Sequence, residues 1–366
     1  MHGFKRNYVR FDESIETIAP DEQDVFDRIV GVMTKGGRLM RERYGRQVRT
    51  SHAKHHGLLK GRLEILEGLP DELRQGLFAE PRTYPVVVRL AQVPGEILDD
   101  RSVSTPRGMA IKVLDVPGQK LAVHDGELTQ DFVLDTGKVF IAPTAKAFLA
   151  AISLTEAAAP LPEAVKGAVS ATSRAANAVL GAVGLGSANL DFFGHPVRHP
   201  LAEPYFTQAP IRYGEYVAKL GVWPAQASLH ALAERPFQVT DENGLLTAVS
   251  DYFRDHPAEY EVRVQLCTDL ERMPVEDAST EWPEDESPYQ TVARMILPPQ
   301  NADAPARRAH VEDVLSFCPA HSLAAHRPLG SIMRARMRAY ETLGTARRLQ
   351  NGMPAREPRG AEDVPD

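Results

Sequence analysis

Hydrophobic and polar positions alternate most cleanly in Tyr260-Glu261-Val262-Arg263-Val264-Gln265-Leu266, and a period of two over that length predicts a strand with one face in a core. Similar β-branched or alternating runs predict strands at Tyr84 to Leu90, Met109 to Leu114, Phe132 to Leu134 and Tyr289 to Leu297. A shorter strand is expected over Gly61 to Ile65, and strand character returns from Phe206 to Trp223, with a turn at Arg212-Tyr213-Gly214. Helical spacing takes over elsewhere. Val25, Phe26, Ile29, Val30 and Met33 recur with that period after a start at Pro20-Asp21-Glu22, and the pattern runs to Gly36-Gly37. Further helices are expected from Thr144 to Leu154 and from Ser331 to about Gln350, with a helical turn at Pro70 to Gln75. An Ala-rich stretch, about 155–190, reads as a helical insertion over the core, and the segment from Ala304 to Arg327 has no clear period. Many short strands punctuated by Pro and Gly, followed by helices, point to an α+β fold: an antiparallel β-barrel with helices packed outside it. The expected division is one domain over 1–350 and a polar, disordered tail over 351–366.

Composition narrows the class. A chain of 366 residues, 43% hydrophobic and 25% charged, can bury a large core. A net charge of -7 argues against a general nucleic-acid binder. The two cysteines, Cys267 and Cys318, cannot make a disulfide framework and have no zinc spacing, so buried thiols in a reducing compartment are expected. Met1 to Glu16 lacks the apolar core of a signal peptide, and charges and Pro162 interrupt the Ala-rich stretch, so a cytoplasmic protein without a membrane span is expected. The sequence leaves the oligomeric state open, a homo-oligomer included.

Two stretches carry candidate chemistry. Arg49-Thr50-Ser51-His52-Ala53-Lys54-His55-His56-Gly57 sets a guanidinium and a hydroxyl beside an imidazole, which can act as acid, base or ligand near neutral pH. Alone, the stretch also fits a solvated basic loop. At about 100° per residue, Arg336, Tyr340 and Arg347 share one face of the last helix. Two guanidiniums flanking a phenol suit no plain core, and a guanidinium one turn away favours the phenolate, which can bind ferric iron. Zinc held by His52, His55 and His56 is a weaker reading, because tetrahedral sites draw ligands from more than one segment. His195, His199, His321 and His326 do not cluster in the sequence.

These motifs resemble the haem catalase family, in its small, catalase-related branch. A basic residue, two residues and His-Ala-Lys resemble Arg49 to Lys54; Pro-x-x-Val-Arg resembles Pro85 to Arg89; and Pro-Arg-Gly with alternating apolar residues and Lys resembles Pro106 to Lys112. Thr129 to Phe132, Trp282-Pro283 and the Arg336, Tyr340, Arg347 set follow in the family's order. The resemblance implies a β-barrel with haem b between barrel and helix and a small-molecule peroxide as substrate. It implies Tyr340 as iron ligand, Arg336 as its hydrogen-bond donor, His52 as distal acid/base, and Arg49, Arg89 and Arg347 as propionate partners, with Phe140 stacked on the porphyrin.

The chain departs from that pattern at the distal side. Ala91 stands where the family has a serine supporting the histidine, and Ser51 stands where valine is usual. The distal asparagine position falls on Glu127, or on Gln130 if the alignment slips, and a carboxylate cannot donate as an amide does. Thr342 replaces the aspartate two residues after the tyrosine. The expected activity is therefore decomposition of hydrogen peroxide by a catalase or peroxidase, of modest power. The alternatives are a haem enzyme acting on an organic or fatty-acid hydroperoxide, resembling allene oxide synthases, and a haem-binding protein without turnover.

Overall fold

Alternating burial along the strands builds a closed sheet. The computed structural model describes residues 7–158, 163–182, 192, 194–354 and 356–366. Nine strands follow in order: β1 (His55–Ile65), β2 (Thr83–Gln92), β3 (Arg107–Val113), β4 (Gln130–Asp135), β5 (Tyr205–Phe206), β6 (Ile211–Tyr213), β7 (Tyr216–Pro224), β8 (Ala258–Leu266) and β9 (Gln290–Leu297). The order β5-β4-β3-β2-β1-β9-β8-β7, closed by a β5–β7 pairing, makes an eight-stranded antiparallel barrel to which β6 is appended as a hairpin arm. Val86, Val88 and Leu90 of β2, Met109 and Ile111 of β3, and Tyr260, Val262 and Val264 of β8 fill its interior. Closure leaves no long open edge.

Helices α1 (Glu22–Tyr44), α2 (Ala145–Ala158), α3 (Glu163–Ala182), α4 (Ala227–Glu234), α5 (Gly244–Asp255), α6 (Pro305–Ala309) and α7 (Gly330–Gln350) surround the barrel. Val25, Phe26 and Ile29 of α1 bury against Ala145 and Leu149 of α2 and Ala335 of α7. The start of α7 is held by carboxylates. Glu16 accepts from the Gly330 amide and Glu276 from the Ser331 amide, both at 2.8 Å, while Arg334 is gripped by Glu16, Glu22 and Glu276. Negative charge at a helix N-terminus is favourable.

Several expectations change. Helix α1 does not stop at Gly36-Gly37 but runs to Tyr44, where Gly45 at φ 70 caps it. Gly37 serves close packing instead, since a Cβ there would meet Gln47 Nε2 at 2.7 Å. The strand expected at Gly61 starts at His55, so the histidine stretch runs into β1. Helices α4 and α5 were not anticipated. The unplaced segment 304–327 contains α6 and a π-helical turn, His310–Val314. The expected insertion, about 155–190, falls on the end of α2 and on α3, with 159–162 and 183–191 outside the described residues. The residues expected as a disordered tail pack on the barrel. Val364 is buried beside Leu58 and Val87, and Glu357 reaches Lys112 and accepts from Thr129 Oγ1 at 2.7 Å.

Candidate functional site

Period-two alternation sends the other face of β2, β3 and β4 out of the barrel. Across the ladders this face reads Ala91, Gly108, Asp135 in one row and Arg89, Ala110, Val133 in the next. Small residues predominate, so the sheet offers a low floor. Over it lies a narrow cavity of about 720 Å³, counted with its open mouth and roofed by Ala339, Tyr340, Leu343 and Gly344 of α7. The structure brings Arg49, Ser51, His52, Arg89, Tyr340 and Arg347 to it together.

His52 is fixed by its backbone. At φ 54 it occupies the left-handed region; its amide donates to Val93 O at 2.8 Å, and its carbonyl accepts from Arg89 Nη2 at 2.8 Å. The ring lies over Gly108, where a Cβ would meet His52 Nδ1 at 2.6 Å, so only glycine leaves room for it. Asp135 Oδ1 stands 3.6 Å from His52 Nε2, buried and without a hydrogen-bond partner. Burial lowers the imidazole pKa; Asp135 opposes this, and the guanidiniums of Arg89, Arg336 and Arg49 reinforce it. The ring is neutral at pH 7.

On α7, the Arg336 guanidinium carbon lies 5.8 Å from the Tyr340 ring centroid. Burial raises the phenol pKa, and Arg336 pulls it back only in part. The guanidinium therefore favours the phenolate, as its spacing suggested, but does not outweigh burial by itself. Without a further positive charge at the oxygen, Tyr340 is a neutral phenol.

The third side of the cavity is a knot of charge. Arg49 Nη1 donates to Glu312 Oε2 at 2.6 Å, Arg89 Nε to Glu312 Oε1 at 2.8 Å, and Arg347 to the carbonyls of Glu312 and Leu315. Burial works against ionising Glu312, but Arg49 and Arg89 hold its carboxyl well below the usual range. Burial also brings Arg347 down to about 10. Three guanidiniums against one carboxylate leave a net charge of +2.

Other expected residues lie elsewhere. Glu127 is not at the cavity; its carboxylate pairs with His124 Nδ1 at 3.1 Å. Gln130 is buried against Ser322 and the Leu323 amide. Phe140 packs on Phe148, centroids 5.2 Å apart, beside Ile332 and Met333, and the phenylalanine lining the cavity is Phe317. His55 faces Asp303 at 3.6 Å and His56 is fully buried, so His52, His55 and His56 share no centre. Sequence reasoning missed Asp135, whose signal was a carboxylate closing the apolar run Phe132-Val133-Leu134, and Glu312, which had none.

Among solved structures, a fungal catalase matches at a TM-score of 0.56 with 17% identity, over 96% of this chain and 66% of that one. Catalase A from Saccharomyces cerevisiae matches at 0.57 with 14% identity, over 95% and 68%. The fold is catalase-like. The chain spans about two thirds of the length of these catalases. No protein-family model matches it, and no curated protein does. The catalase-like barrel thus carries its cavity on the outer face of β2 to β4, under α7. No helix among the described residues is long and apolar enough to cross a membrane.

Proposed function

We propose that this chain is a haem-dependent oxidoreductase that decomposes hydrogen peroxide, with Tyr340 as the iron ligand and His52 as the distal acid/base. One observation carries the reading: a neutral buried imidazole and a phenol paired with a guanidinium line one narrow cavity whose edge bears a net charge of +2. The donor set suits haem b. Two propionates would balance that charge, the low floor of Ala91, Gly108 and Ala110 leaves room for a flat group, and Val133, Leu134 and Phe317 offer apolar contact. Phe140 takes no part in this reading.

When bound, haem supplies a redox-active iron at which a peroxide O–O bond is broken. His52, neutral at pH 7, takes a proton from one peroxide oxygen and returns it to the other. Asp135, facing Nε2, orients the ring and steadies its charge while the proton is held. Arg336 donates to Tyr340 and favours its ionised form. Arg49, Arg89 and Arg347 hold the carboxylates at the edge.

A second reading, an organic hydroperoxide as substrate, is favoured by the apolar lining of Met33, Val133, Phe317 and Leu343 and by the position of Glu127 away from the cavity. Absorption spectra and haem content of wild type and Tyr340→Phe test the ligand; a wild-type Soret band and haem content in the variant defeats the proposal. Oxygen release from hydrogen peroxide, measured beside consumption of a lipid hydroperoxide, decides between substrates. Haem binding with neither activity leaves the third reading, a binding protein.

A further inference from the structure

Three segments meet away from the cavity: the turn carrying His124 and Glu127, the loop carrying His321, and α7 at Glu341. His124 Nδ1 lies 3.1 Å from Glu127 Oε1, and its Nε2 lies 3.1 Å from Glu341 Oε1. The rings of His124 and His321 stand edge to face, centroids 4.4 Å apart. One ligand atom from each of His124, Glu127 and His321 lies within 4.8 Å of the others.

Two features separate this cluster from an ordinary ion-pair network. Glu127 Oε2 is buried without a hydrogen-bond partner, and it faces Nε2 of His321, a side chain only 8% exposed, across 4.0 Å. That gap is too long for a hydrogen bond. It is near the spacing of about 3.3 Å between two ligand atoms on a tetrahedral ion with bonds of about 2.0–2.1 Å. The second feature is that the remaining nitrogen of each imidazole already meets a carboxylate. His321 Nδ1 has Asp131 Oδ2 at 3.1 Å and Glu357 Oε1 at 3.2 Å, and His124 Nε2 has Glu341. Lys112 Nζ also lies 3.1 Å from His321 Nδ1, but Asp131 and Glu357 are its acceptors. With two carboxylates beside it, Nδ1 carries the hydrogen and the Nε2 lone pair faces Glu127. Carboxylates on the far nitrogens are what orient metal-bound histidines.

We propose that His124 Nδ1, His321 Nε2 and Glu127 form a site for a divalent transition ion of the zinc type. Two imidazoles disfavour the hard cations magnesium and calcium. Four carboxylates, Glu127, Asp131, Glu341 and Glu357, face the gap beside the ammoniums of Lys112 and Lys120, and because, against burial, Glu127 and Glu341 push the His124 pKa up to about 9, an entering cation displaces a proton there. Glu127 and Glu341 keep 27% and 34% of their side chains exposed, which gives an entry path and room for water as a fourth ligand. A bound ion would tie the two loops to α7 one position from Tyr340. The site needs nothing from the haem reading.

The test uses the full chain with whatever haem it carries, stripped by chelator and titrated calorimetrically with Zn²⁺ alone, with zinc counted separately from iron after dialysis. One ion per chain is expected. Glu127→Gln and His124→Gln should each weaken binding more than 100-fold, and Glu341→Gln about 10- to 100-fold, the range for an outer partner. His230→Gln, on an exposed helix, should change nothing. If His124→Gln does not fold, Glu127→Gln on its partly exposed turn decides. Absence of binding in wild type, or unchanged affinity in Glu127→Gln, overturns the proposal and reduces the cluster to an imidazolium–carboxylate network; haem content is unaffected either way.

Discussion

Replacing Glu312 by glutamine removes one negative charge from among three guanidiniums and keeps the shape. Arg89 is 3% exposed and Arg49 14%, so neither can swing into water without disturbing the cavity edge. Losing one member of a buried ion pair costs about 3–5 kcal/mol, and because Glu312 keeps 16% exposure the lower end is expected. Denaturant unfolding of haem-free wild type and Glu312→Gln at pH 7 should show that difference. Its pH dependence has a fixed sign. The folded carboxyl lies far below its unfolded value of about 4.3, so the stabilisation is complete above that pH and fades as pH falls toward the folded value. The gap between the two proteins should therefore narrow below about pH 4. In the haem-loaded protein it should be smaller at every pH, because two propionates would replace the missing anion. Equal stability within about 0.5 kcal/mol at pH 7 would refute the charge argument, and an undiminished gap after haem loading would refute the propionate role.

Gly108→Ala should push the His52 ring off the floor, since its Cβ falls 2.6 Å from Nδ1; peroxide consumption is expected to fall on the order of 10²- to 10⁴-fold with haem content retained, and full activity would remove His52 from the mechanism. Arg49→Ala and Arg347→Ala should each speed haem loss while leaving the ferric spectrum in place, as judged by transfer to apomyoglobin; unchanged loss rates in both would sink the cradle. Ser51→Val should raise oxygen release from hydrogen peroxide if the hydroxyl beside His52 restrains it, and no change would assign the restraint to Asp135 or Ala91.

Local pattern carried most of the barrel. The alternation in β8 and the valine run of β2 are visible because each strand packs its own apolar face on one core. The barrel was expected, but not the strand that closes it: β5 has two residues, Tyr205 and Phe206, too few for any period, yet it joins β4 to β7. Helix α5 carries Leu245, Val249 and Phe253 at helical spacing, a signal too short to stand out without the barrel it packs on. Short-range spacing in the family motifs was enough to bring His52, Arg49, Arg89, Tyr340 and Arg347 to one cavity. It failed where a loop intervenes. The turn after Asp135 carries Phe140 away to Phe148, and the turn before β4 carries Glu127 to His124. Glu312 lies 263 positions from Arg49, and no local pattern announces a contact of that range.

That distance also constrains how the protein is made. On a ribosome, Arg49 and His52 emerge long before Glu312, Tyr340 and Arg347, and a contact between them must wait for loop closure across most of the barrel. The early arginines are therefore exposed as unpaired cations while the strands behind them are still being synthesised. On the proposed reading no haem could be held at that stage, because Tyr340 and Arg347 have not been translated. On the proposed reading, a chain that folds before it meets haem would present a barrel whose cavity edge is held by Glu312 alone.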